Sequence, residues 1–139
     1  MRSASYFFFY TYIGLVVAAG FWGAFINPYF DFRLLFGMDV TGLEDPHRIN
    51  LLSQYRFLRA LELGFGIFAL LFKKEIFSSQ RFNLLFLTIM ASGILARLVS
   101  IAVDGVPNYL TLFFMSYELL GWVIIFFYTR SHKLQVLSS

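Results

Sequence analysis

A chain of 139 residues that is 59% hydrophobic and 14% charged has room for one domain and too much apolar surface to hide from water. A soluble fold of this size buries only about two-thirds of what its unfolded chain exposes, so a bilayer is the natural solvent. The formal charge of +3 sits mostly at the ends of apolar runs, which argues against a nucleic-acid stripe, and the absence of cysteine excludes disulfides, thiolate metal sites and dithiol redox chemistry.

The first apolar run, Tyr6 to Ile26, holds 21 residues without a charge. At about 1.5 Å per residue it crosses a hydrocarbon core about 30 Å thick. Arg2 and the small residues around Ala18–Gly20 also suit a signal peptide, but Phe21, Trp22, Phe25 and Ile26 continue the run, so a retained helix is expected. Asn27-Pro28 then offers a cap and a first-turn proline, and Gly37 a terminator. Between them, Asp31 and Arg33 lie among aromatic and aliphatic residues, which predicts a short interfacial helix at about 28–36, with an irregular lipid-dipped loop as the alternative. Met38 to Asn50 reads as the main aqueous loop.

Three further spans follow at about 51–72, 82–103 and 108–128, the last two joined by the tight turn Asp104-Gly105-Val106-Pro107. Short connections make consecutive helices antiparallel neighbours. The expected fold is an all-α membrane protein, a four-transmembrane-helix antiparallel bundle forming a single domain over 1–139. Arg2, Lys73, Lys74, Arg81, Arg130 and Lys133 gather on one side with Glu75 as the only acid. The positive-inside rule therefore puts both termini in the cytoplasm and the 27–50 loop outside.

Inside these runs lie three arginines and three carboxylates: Arg56, Arg59 and Glu62 in the second, Arg97 and Asp104 in the third, and Glu118 in the fourth. Each charge in hydrocarbon costs roughly 2.5–3.5 kcal/mol, so partners are expected. Arg56, Arg59 and Glu62 wind across one helix side, roughly 8, 12 and 16 Å in from the outer start of their span. Arg97, Ser100 and Asp104 form one stripe, which Gly93 extends. The economical arrangement turns these stripes inward, with arginine forks gripping carboxylates. Four readings fit it: a network that only fixes helix register, a binding or transport site for an anionic or amphipathic (lipid-like) molecule, acid–base catalysis by a buried carboxylate, and a charge relay. No catalytic residue, cofactor or metal ligand is assigned.

Other features read as ordinary. His47 is a solvated loop residue and His132 belongs to the tail, so no metal-ligand pair arises. Tyr6, Tyr10, Trp22, Tyr109, Trp122 and Tyr128 suit an interfacial aromatic belt. Gly14, Gly20 and Gly23 suit helix packing.

Pro28 with Leu35-Phe36-Gly37, Arg56 followed by Gly66, Arg97-Leu98-Val99-Ser100 with Asp104-Gly105-Val106-Pro107, and Glu118-Leu119 together resemble a known pattern. It is that of a family of small bacterial four-helix membrane proteins, catalogued only as a domain of unknown function and grouped with the DoxX-like proteins. The resemblance covers roughly residues 8–128. It implies a four-helix bundle in the bacterial inner membrane, with Arg56, Arg97, Asp104 and Glu118 as its polar signature. Gln54 stands where the family often has Glu, and Arg59-Ala60-Leu61 where it tends to have Tyr-Gly-Gly, so Arg59 and Glu62 read as a local compensating pair. The expected partners are membrane lipid and either a small amphipathic ligand or a membrane protein, with no nucleic acid.

Overall fold

The computed structural model describes residues 2–137, with side chains through residue 131, and all its regular elements are helical. Its elements in order are α1 (Arg2–Phe21), a π-helical turn (Trp22–Ile26), α2 (Pro28–Phe36), a 3-10 turn (Val40–Gly42), α3 (Asp45–Leu71), α4 (Lys73–Ser78), α5 (Gln80–Asp104) and α6 (Tyr109–Leu137). The side chains of His132 and Lys133, counted above in the tail and on the basic side, lie outside the described residues.

Among the described residues, three stretches are long and apolar enough to cross a membrane: Arg2–Ile26, Gln80–Asp104 and Tyr109–Ser131. The expected second span is helical too, but Arg56, Arg59 and Glu62 lower its hydropathy below the other three. Helix α3 also begins earlier than expected. Asp45 and Pro46, read as loop, are good first-turn residues: the acid suits the positive end of the helix dipole, and proline has no amide hydrogen to waste there.

The chain divides into two compact units, Met1–Tyr12 with Ala69–Ser139, and Ile13–Phe68. In the first, Phe9, Ile76, Phe86 and Ile125 are fully buried, and the Phe9 ring meets Phe77 at 5.4 Å and Phe86 at 5.5 Å. Tyr6 stacks on Phe77 at 4.5 Å. The Trp122 indole donates to the Leu87 carbonyl at 2.9 Å, tying α6 to α5. Asn108 accepts from the Thr111 amide at 2.9 Å and caps α6. The turn before it uses Gly105 at φ 106°, a conformation that other residues rarely adopt.

In the second unit, glycine sets the approach of α1 to α3. A first side-chain carbon at Gly20 would lie 2.8 Å from the Leu63 nitrogen and 2.9 Å from the Arg59 carbonyl oxygen. Helix α2 occupies the predicted 28–36, and its ends show why: Asn27 accepts from the Phe30 amide at 3.1 Å, and Gly37 at φ 63° closes the last turn. Pro28 and Phe32 are buried beneath it.

Candidate functional site

Polar side chains gather separately in each unit. In the Ile13–Phe68 unit, α2 supplies Asp31 and α3 supplies Tyr55, Arg59 and Glu62 at helical spacing. Arg59 spreads its donors over three acceptors: Nη2 lies 3.2 Å from Asp31, Nη1 2.6 Å from Glu62, and Nε 2.8 Å from the Tyr55 hydroxyl. Tyr55 in turn donates to Asp31 at 2.8 Å. The Arg59 and Asp31 side chains are only 12% and 10% exposed. Gly23 leaves room for them, since a first side-chain carbon there would sit 2.6 Å from Asp31 Oδ2 and 2.7 Å from Arg59 Cγ. The guanidinium is fanned among partners and grips no carboxylate with both arms.

Arg56 finds a different partner. Ala24 lies in the π turn that ends where the chain leaves helical geometry at Asn27, so its carbonyl stands at a helix end without the usual amide donor. Arg56 Nη1 donates to that oxygen instead, so a cation closes the negative end of the helix dipole. No acid pairs with Arg56 among the described residues.

The other unit holds the remaining four sequence-derived residues. Glu118 on α6 is 8% exposed and accepts from the Tyr12 hydroxyl of α1 at 2.7 Å. Arg97 Nε on α5 approaches it at 3.9 Å, a long ion pair, with the arginine side chain 41% exposed. Gly93 sits one turn from Arg97, where a first side-chain carbon would be 3.5 Å from Glu118 Oε1. Ser100 donates to Asp104 at 3.0 Å at the exposed end of α5.

Asp31 and Tyr12 were missed in the sequence. Three arginines already matched three carboxylates within the spans, so charge counting asked for no further acid. Tyr12 lies in an aromatic run with no feature to distinguish it. Outside the spans, the Thr41 hydroxyl and amide hold the Asp39 carboxyl below its usual range, with Arg33 adding to the shift.

Two hollows accompany these groups. One, of about 430 Å³, lies against Phe32, Phe36 and Met38 and against Leu51, Tyr55 and Leu58 of α3. The other, of about 260 Å³, opens between α5 and α6. Neither has Arg56 or Arg97 in its wall. Among the described residues, no group of three or more His, Asp or Glu side chains could hold a metal ion.

A family model described as a domain of unknown function (DUF4345) matches residues 4–129, and the chain belongs to that family. Searches of curated proteins and of solved structures gave no match.

Proposed function

We propose that this member of a family without an assigned role is a four-span protein of the bacterial inner membrane, akin to the DoxX-like proteins, that binds a small anionic or amphipathic, lipid-like molecule. Both termini face the cytoplasm, α3 is the remaining span, and α2 lies in the interface. Pairing of the α3 charges supports that crossing, because Arg59 with Asp31 and Glu62 presents far less bare charge to lipid than composition alone implies.

One observation carries the binding reading. Arg97 lies in a long apolar helix, is 41% exposed and meets Glu118 only at 3.9 Å, which leaves guanidinium donors for an acidic head group. Tyr12 donates to Glu118, the carboxylate that faces this arginine. With its side chain 41% exposed, Arg97 is approached laterally, as by a lipid. Arg97→Gln, purified in detergent and titrated with a phosphate-headed lipid by native mass spectrometry, should bind about tenfold more weakly than the unsubstituted chain, as for loss of one charge-assisted hydrogen bond. Equal binding by the two proteins defeats this reading.

A second reading, an accessory or scaffold subunit with an architectural charge network, is favoured by the Asp31–Tyr55–Arg59–Glu62 cluster. There every Arg59 nitrogen has a partner in the protein. The two readings concern different residues, and the same titration separates them.

A further inference from the structure

The hollow between α5 and α6 is built unlike a simple packing defect. Its apolar wall includes Leu84, Leu87, Leu95 and Phe126, and Leu84 and Leu95 are more than half exposed, so it opens sideways. Gln80, Asn83 and Arg130 form its polar end, with the Thr88 and Ser92 hydroxyls further along α5. Asn83 is only 5% exposed, and its Nδ2 has no hydrogen-bond partner, although its Oδ1 accepts from Thr129 at 3.3 Å. Arg130 lies over the Phe126 ring at 5.3 Å and has no acid partner among the described residues. The Phe126 ring is itself stacked on Trp122 at 5.0 Å, so the cation rests on a fixed aromatic shelf.

We propose that this cleft is a binding site for one anionic phospholipid, with an acyl chain along α5 and the head group at Arg130. Charge complementarity selects the occupant. A phosphate satisfies a guanidinium that has no acid partner among the described residues, and an ester carbonyl offers the acceptor that the Asn83 amide lacks among them. At about 260 Å³ the cleft is smaller than pockets that enclose a whole drug-sized ligand, and it suits one chain held against the side of the protein. The site uses none of the residues assigned to the Arg97 site and does not depend on it.

Trp122 lines the cleft and reports on it directly. The chain has only two tryptophans, so Trp22→Phe leaves Trp122 as the sole tryptophan emitter, excited selectively over the tyrosines. That protein is reconstituted into phosphatidylcholine vesicles containing brominated phosphatidylglycerol, or brominated phosphatidylcholine at the same mole fraction. Half-maximal quenching should need about tenfold less of the anionic lipid. Arg130→Gln should remove the preference, while Arg81→Gln, which deletes one positive charge outside the cleft, should retain it. Equal quenching by both lipids overturns the proposal, as does loss of the preference in Arg81→Gln, which would show general attraction to a basic surface. Far-UV circular dichroism identifies any variant that fails to fold. For such a variant, Arg130→Lys replaces Arg130→Gln and should weaken the preference without abolishing it; an unchanged preference would overturn the proposal.

Discussion

Asp31 and Arg59 are nearly withdrawn from solvent, and Arg59 is the cation that faces Asp31. Removing one member of such a pair strands the other, whereas removing both for apolar groups of similar size is often close to neutral. Asp31→Asn should therefore cost about 2 kcal/mol, less than for a fully isolated pair because Arg59 keeps Glu62. Asp31→Leu combined with Arg59→Met should cost less than the sum of the two single changes by at least about 1 kcal/mol. Denaturation in a mild detergent measures all five proteins, and strict additivity in the Asp31→Leu and Arg59→Met cycle would show that the pair is not coupled. The sequence carried half of this arrangement. Arg59 and Glu62 stand three apart on one helix and announce their contact, while Asp31 comes from another element and only the fold brings it near.

The helices differ in how plainly they were written. Helix α2 was legible to its ends because Asn27-Pro28 and Gly37 mark them with residues whose backbone chemistry admits few other uses. The π turn at Trp22–Ile26 was not, because it follows from one bond skipping a residue, Asn27 N to Trp22 O at 3.0 Å, and no side chain signals it. Glycines resembled one another in sequence but not in use. Gly20 faces backbone that cannot retreat, Gly14 has nothing within 4 Å, and Gly121 has only the edge of Phe8 at 3.8 Å. Gly20→Ala should lower the melting temperature by several degrees, whereas Gly121→Ala should leave it unchanged or raise it, alanine being better than glycine inside a helix by about 0.5–1 kcal/mol. Equal effects at the two positions would show that the close approach at Gly20 is not maintained in the membrane.

At the scale of the whole chain, orientation is the property that composition encodes most strongly and that helix geometry alone leaves open. The positive-inside rule assigns six basic residues to one side, an expectation that rests on lipid and the insertion machinery and not on intramolecular contacts. The chain lacks cysteine, so a single introduced thiol is an unambiguous label. Gly42→Cys and Ser78→Cys, on either side of α3, are both at exposed positions. In intact cells a membrane-impermeant maleimide should modify the first, and it should reach the second only after lysis. Modification of both before lysis would mean that α3 does not cross. The candidate site was legible in kind, as charge within apolar helices, but its partition between Arg59 and Arg97 was not, because spacing reports faces of single helices and not which helices meet.

One oxygen ties together two distant positions. The carbonyl of Ala24, left at a helix end where the chain turns away at Asn27, is served by a guanidinium from α3. Variation at 56 is therefore constrained: a relative without a donor there strands the oxygen at 24.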